Sequence, residues 1–328
     1  MAAPRTTVAC FGEALIDFLS LPAAAGQPRS FLEQPGGAPA NVAVGVAQLG
    51  GRSRFVGMLA QDIFGDTLLA ALRAHAVDTA QVRRTDAAPT ALAFVSLDAA
   101  GERSFSFYRP PAADLLFRSS DFDETAFADI AVFHVCSNSL THPDIAEATL
   151  HGMRLAAAAG ALVSIDLNLR PALWPRDADP RPWLWRALAL AKLVKLSREE
   201  LEALTDAGDT AAVIERLLAG DAEAVVVTDG AAPIHWWTRS RHGQATTFPV
   251  DTIDTTAAGD AFVAGLLWRL VALGIGAGTL AAAFDDDAVR ADLLRHGAAA
   301  GALATTRHGA FVAMPDADAV RTLIETHG

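Results

Sequence analysis

A chain of 328 residues, 52% hydrophobic and 20% charged with no low-complexity tract, reads as folded throughout and can bury a sizeable core. Its formal net charge of −12 argues against nucleic-acid or anionic-membrane partners, which need a basic face. No apolar run reaches the roughly 18 residues of a bilayer span, and residues 1–7 run directly into a strand-like stretch, so no signal peptide is predicted and a cytoplasmic location is expected.

In chain order, hydrophobic patterning predicts a strand at 8–12, a helix at 40–49, a strand at 54–57 and a helix at 64–75. A strand at 132–136, a helix at 144–158, strands at 162–166 and 193–196, a helix at 210–218 and a strand at 224–228 follow. A strand-like run at 245–250 leads to helices at 261–273 and 289–304. Fully apolar strands alternating with helices indicate an α/β fold: a central, mainly parallel sheet with helices on both faces. Two segments, about 16–34 and 91–108, alternate apolar and polar residues instead. They read as an antiparallel flap on the main sheet, a small β lid, with a hairpin turn at 98–102. No repeat or linker divides the chain, so 1–328 reads as one domain. Cys10 and Cys136 lie in apolar strands and are expected to be buried and reduced.

The richest segment is Asp254-Thr255-Thr256-Ala257-Ala258-Gly259-Asp260-Ala261-Phe262, which opens an apolar helix. Small residues at a helix mouth let backbone N–H groups approach an anion, and the helix dipole adds positive charge there. A carboxylate in that first turn can take a proton from a hydroxyl attacking a bound phosphate. A capped helix start, with Asp260 complementing the dipole, would explain an isolated Ala-Ala-Gly-Asp equally well. A Walker loop is excluded because the only lysines, Lys192 and Lys195, have no glycine nearby. The protein-kinase motifs and a dinucleotide G-x-G-x-x-G are absent as well.

The full string resembles the Asp-Thr-x-Gly-Ala-Gly-Asp signature of the ribokinase-like (PfkB) sugar kinases. Gly36-Gly37-Ala38-Pro39-Ala40-Asn41-Val42-Ala43 resembles the family's first signature, Phe11–Asp17 its opening strand, Asp166-Leu167-Asn168-Leu169-Arg170 its Asp-x-Asn-x-Arg and Thr228-Asp229-Gly230 its Thr-x-Gly. The resemblance runs from Gly12 to Gly309. It implies a ribokinase-like fold and ATP-dependent phosphorylation of a sugar's primary hydroxyl. Asp260 would be the base, with the N–H groups of Ala257, Ala258 and Gly259 as an anion hole. It places Asp17, Gly37, Asn41, Arg109 and Asn138 at the sugar, and Asn168, Arg170, Thr228 and Gly230 at the nucleotide. Glu200 would govern Mg2+ indirectly. Asp254 and Thr256, with carbonyls of Ala304, Arg307, Gly309 and Ala313, would hold K+.

Each assignment has a plainer counterpart. Asp17 ends a strand, Asn41 suits an N-cap, and Ser197–Glu200 is a capping box. Asp166 and Asn168 suit strand-end turns. Ala257, standing where glycine is commoner, is expected to block a positive φ. Ala232 stands where a second nucleotide-side glycine is commoner. His134, His235 and His308 have no metal-ligand spacing.

The strings Arg109-Pro110-Pro111-Ala112-Ala113-Asp114 and His134–Leu140 resemble the fructokinase branch and imply fructose as acceptor. A 2-keto-3-deoxygluconate kinase is the neighbouring alternative, followed by another ribokinase-like sugar kinase or a non-catalytic sugar or nucleotide sensor. If Asp114 faces the site, it should repel a ketoacid carboxylate and pair with Arg109. Alternatively Asp114 caps a surface turn and Arg109 snorkels over the flap. A homodimer through the lid completes the expectations.

Overall fold

Side-chain alternation in the first strand sets the architecture. β1 (Thr7–Phe11) sends Val8 and Cys10 into one apolar cluster and Ala9 and Phe11 into another, all four fully buried. Only a sheet covered on both faces permits that. The computed structural model describes residues 5–21, 28–97, 103–205 and 208–327. After β1 come β2 (Leu15–Ser20), β3 (Phe31–Gly36), α1 (Ala38–Gln48), β4 (Arg52–Ala60), α2 (Ile63–Ala74), β5 (Val82–Thr85), β6 (Leu92–Leu97) and β7 (Arg103–Tyr108). The middle holds β8 (Ile130–Cys136), α3 (Pro143–Ala158), β9 (Leu162–Asp166), α4 (Arg181–Leu188), β10 (Leu193–Ser197), α5 (Arg198–Ala203), α6 (Thr210–Ala219) and β11 (Ala224–Thr228). The last third holds β12 (Ile234–Trp237), β13 (His242–Ala245), α7 (Ala258–Ala272), α8 (Leu280–Asp285), α9 (Asp287–Ala304) and α10 (Ala317–Thr326).

The main sheet runs β13-β12-β11-β10-β9-β8-β1-β4-β5, parallel except for the β11–β12 and β12–β13 pairs. Helices α1, α2, α7, α8, α9 and α10 pack one face, and α3, α4, α5 and α6 the other. This is the ribokinase-like arrangement the sequence implies. Among the described residues no helix is long and apolar enough to cross a membrane.

Helix α7 is buried almost all round, through Ala261, Phe262, Val263, Ala264, Leu266 and Leu267. Glycines bring its neighbours close. A Cβ on Gly45 of α1 would lie 2.6 Å from Ala264 Cβ, and one on Gly265 2.6 Å from the His296 carbonyl of α9. That tight packing fixes where the helix begins, at the carboxyl ends of the parallel strands. Open α/β sheets bind ligands there.

The lid is a separate sheet, β3-β2-β6-β7, rather than an antiparallel extension of the main one. β2–β3 and β6–β7 are antiparallel, but β2–β6 is parallel. The long connection through α1, β4, α2 and β5 makes that pairing possible. Phe18 and Phe94 stack at 5.2 Å, with Phe31 edge-on to both. The expected turn at 98–102 and residues 22–27 of the first lid segment lie outside the described residues. The strand expected at 245–250 is a second correction: β13 ends at Ala245, and 246–250 is irregular. Pro249 has no N–H for a ladder, and the Thr247 hydroxyl donates instead to the Ala231 carbonyl at 2.7 Å.

Candidate active site at the amino end of a buried helix

The first turn of α7 forms the shared wall of three adjoining cavities. An inner one of about 260 Å³ is lined by Glu13, Leu15, Asp17, Gly37, Asn41, Phe107 and Asn138, and also by Asn168, Arg170, Ala257 and Asp260. A middle one of about 400 Å³ shares those last four residues and adds Asp166, Lys195, Glu200, Thr228, Ala258 and Gly259. The third, about 330 Å³, is apolar: Gly230, Ile234, Phe248, Pro249, Phe262 and Ala302 line it, and it meets the middle cavity at Thr228, Thr255, Ala258 and Gly259. Asp260 therefore stands between the inner and middle cavities, at the positive end of a helix dipole.

Ala257 adopts φ 57°, ψ 12°, a left-handed conformation, contrary to the expectation that alanine would block a positive φ there. Such a residue costs about 1 kcal/mol, and the buried start of α7 enforces it. The turn puts Ala257, Ala258 and Gly259 on the wall of the middle cavity, with the Ala258 N–H donating to the Thr255 carbonyl at 3.3 Å. Gly259 is closely approached: a Cβ there would sit 3.1 Å from Lys195 Nζ, and the ammonium would have to give by a few tenths of an ångström.

In the inner cavity Asn41 Nδ2 donates to Asp260 Oδ2 at 2.7 Å. Asn41 is not an N-cap; α1 starts three residues earlier, capped at Gly37, with Pro39 in its first turn. Gly37 has φ 105°, and a Cβ there would lie 2.7 Å from the Glu13 carbonyl, so only glycine fits. Asp17 Oδ2 lies over Gly36, where a Cβ would come within 2.4 Å. Among the described residues, Asn41 Oδ1 and Asn138 Oδ1 are buried without hydrogen-bond partners. Groups so placed await a hydroxyl-rich ligand. Burial pushes the Asp260 carboxyl up to about 7; the Asn41 donor opposes this and the Asp166 charge adds to it. Burial, then the Asp260 charge, pushes Asp17 up to about 7 as well.

The middle cavity pairs two residues, Lys195 and Asp166, to which the sequence reading assigned no role. Lys195 Nζ donates to Asp166 Oδ2 at 2.9 Å, both side chains buried, while Asp166 Oδ1 has no partner. Burial opposes the lysine's charge, but Asp166 and then Glu200 outweigh it and hold the ammonium above its ordinary range. A lysine inside an otherwise apolar strand was the available signal. Glu200 completes the capping box, accepting from Ser197 N at 2.7 Å, and reaches Leu169 N at 2.8 Å. Both oxygens are engaged, so a cation beside Glu200 and Asp166 Oδ1 would meet them best through water. Asn168 sits at φ 42° at the edge of both cavities. Among the described residues no group of three or more His, Cys, Asp and Glu could by itself hold a metal.

Asp254 lies behind the loop. It accepts from Thr256 N at 2.7 Å and Gly309 N at 3.2 Å, and the Ile253 and Asp254 N–H groups donate to the Thr305 carbonyl. These bonds tie the loop before α7 to the turn after α9, where Ala304 and Ala313 are buried and Arg307 is exposed.

Arg109 departs from its expected place. Arg109 is 2% exposed, neither snorkelling over the flap nor lining the inner cavity. Its guanidinium donates to Asp114 Oδ2 at 2.9 and 2.6 Å and to the Asn138 carbonyl at 2.7 Å. The pair exists, but it braces the cavity floor from behind, and Asp114 does not face an acceptor. Of the expected sugar residues, the structure brings Asp17, Gly37, Asn41, Asn138 and Asp260 to one cavity and leaves Arg109 outside. His134 is buried against Ser164, and Cys10 and Cys136 are buried and free.

The profile described as "pfkB family carbohydrate kinase" matches residues 5–317. The chain is 41% identical to fructokinase-1 of Zea mays over 99% of both chains. It is 52% identical to a fructokinase of Xylella fastidiosa solved with bound ATP, with a TM-score of 0.95 over 98% of this chain and 99% of the other. A fructokinase of Vibrio cholerae O395, solved with fructose, ADP and a calcium ion, is 32% identical with a TM-score of 0.84, covering 97% and 99%.

Proposed function

Since the chain belongs to the pfkB family of carbohydrate kinases, we propose that it transfers the γ-phosphoryl group of ATP to the terminal primary hydroxyl of fructose, giving fructose 6-phosphate. The observation that carries this is the position of Asp260, on the wall shared by a polar inner cavity and the anion-binding mouth of α7.

The inner cavity holds the sugar. Asp17 and the free amide oxygens of Asn41 and Asn138 accept from its hydroxyls. Asp260 removes the proton of the attacking hydroxyl, while Asn41 fixes its orientation. The N–H groups of Ala257, Ala258 and Gly259 stabilise charge on the transferring phosphoryl. Arg170, Asn168 and Thr228 line the path of the phosphates, and the apolar cavity beside Gly230 takes the base. The protein uses a nucleotide and a metal ion; magnesium is our reading, held near Glu200 through water, where it neutralises phosphate charge. The Asp254 loop fits potassium, with Thr256 and the carbonyls of Ala304, Arg307, Gly309 and Ala313. One domain spans 1–328, its lid at about 16–34 and 91–108 closing over the sugar. Exposed Leu32 and Tyr108 on the lid support a homodimer through it, and buried free thiols suit a cytoplasmic location.

Fructose fits better than a ketoacid because carboxylates dominate the inner cavity: Glu13, Asp17 and Asp260 line it, Arg109 lies outside it paired with Asp114, and Arg170, which also lines it, is assigned to the phosphates. A coupled assay of sugars with ATP, in potassium and sodium buffers, should show fructose preferred at least about tenfold over its rivals. Preference for 2-keto-3-deoxygluconate would overturn the acceptor.

The pH profile follows from the same carboxylates. Asp260 must be unprotonated to accept a proton, and its carboxyl sits at about 7. The kcat/KM for fructose should therefore fall as pH drops through about 7 and level off above it. If Asp17 must also be ionised, the limiting slope is two, about a hundredfold per pH unit. A profile flat down to about pH 5.5 would remove Asp260 from the base role.

A further inference from the structure

The lining of the inner cavity includes a buried carboxylate that takes no step in the proposed transfer. Glu13 is 1% exposed, at the turn between β1 and β2. Its Oε1 accepts from Ala38 N at 3.2 Å and from Asn138 Nδ2 at 2.9 Å; its Oε2 meets the Cys136 thiol at 3.6 Å. The Ala38 N–H can only donate, so Oε1 is an acceptor whatever the protonation of the other oxygen. Asn138 must then turn its NH2 toward Glu13. That leaves Asn138 Oδ1, buried and without a partner, as the free end of an amide whose residue lines the cavity. The Arg109 guanidinium holds the Asn138 carbonyl at 2.7 Å, so the backbone is fixed and only the amide's rotation remains to be set.

We propose that Glu13 is a positioning and specificity-determining residue, holding the Asn138 amide with its oxygen toward the sugar so that this point of the site accepts from a hydroxyl. Without that hold the amide can present its NH2 instead, and a sugar hydroxyl paired with an acceptor becomes one facing a donor. What matters is the acceptor at Oε1, not the negative charge. This rests on the reading of the inner cavity as the fructose site.

Three variants in the full-length chain test it. Glu13→Met keeps the bulk and removes the acceptor; the KM for fructose should rise about tenfold, the scale of one lost and one mispaired hydrogen bond. The KM for ATP and the kcat at saturating fructose should hold within about threefold, which general loosening would not spare. Glu13→Gln retains a carbonyl for both donors and should restore the fructose KM to within about twofold of the unaltered protein. On an Asn138→Ala background, Glu13→Met should cost nothing further. Additive losses, equal increases in both KM values, or Glu13→Gln as impaired as Glu13→Met would each overturn the proposal. Should Glu13→Met fail to fold, Asn138→Leu probes the contact from the other side. It keeps the shape of the side chain but offers the sugar no oxygen, so an unchanged fructose KM would overturn the proposal. Absence of fructose turnover by the unaltered protein would instead refute the proposed function.

Discussion

Replacing Asp260 with Asn is expected to lower kcat by at least about 100-fold, the usual scale for losing a general base, while fructose and ATP still bind. The substitution preserves shape, and the new amide oxygen can still accept from Asn41 Nδ2, which donates to Asp260 at 2.7 Å. The N–H groups at the start of α7 are untouched, so the anion site should survive. Stability should rise or hold, because a carboxyl driven up to about 7 by burial is an unfavourable charge in the fold above that pH. Its sign is clear: the folded value lies above the unfolded one, so ionisation at higher pH destabilises. Steady-state kinetics with isothermal titration of both substrates distinguishes the cases. Near-full turnover, or lost binding with unchanged kcat, would contradict the assignment.

Breaking the Arg109–Asp114 pair should have the largest effect on the fold itself. Both side chains are buried, and Asp114 takes two of the guanidinium's hydrogen bonds. Asp114→Ser leaves a buried cation with Glu13 as its remaining nearby charge, and removing one member of such a pair typically costs about 3–5 kcal/mol. The denaturation midpoint should fall accordingly. The fructose KM should rise too, because Arg109 braces the Asn138 carbonyl under the inner cavity. Turnover of 2-keto-3-deoxygluconate should not appear, since neither member of the pair lines that cavity. An unchanged melting curve would show that the pair contributes nothing net, and new ketoacid turnover would show that Arg109 reaches the acceptor.

Residue patterning alone carries the α/β class, the alternation of strands with covering helices and the small-residue start of α7. Apolar runs such as those of β9 and β11 are legible because a strand buried on both faces has no polar side to confuse it. Asp260 was legible because its motif is local: a small-residue turn and the carboxylate it presents lie within a few positions of each other, whereas Asp17 and Asn41 read locally as a strand end and an N-cap and reached the sugar only through the family resemblance. Tertiary structure decided what depends on partners distant in sequence. Glu13 meets Asn138 across 125 positions, and Lys195 meets Asp166 across 29; no local pattern reports either contact. It also reversed two local arguments. Ala257 takes a left-handed turn because the packing of α7 against α1 and α9 outweighs a cost of about 1 kcal/mol. Arg109, read as a residue facing the sugar, lies behind the floor, because its guanidinium is satisfied only where Asp114 and the Asn138 carbonyl converge. Local chemistry fixes which groups a segment can offer, and long-range packing fixes which of them face the cavity.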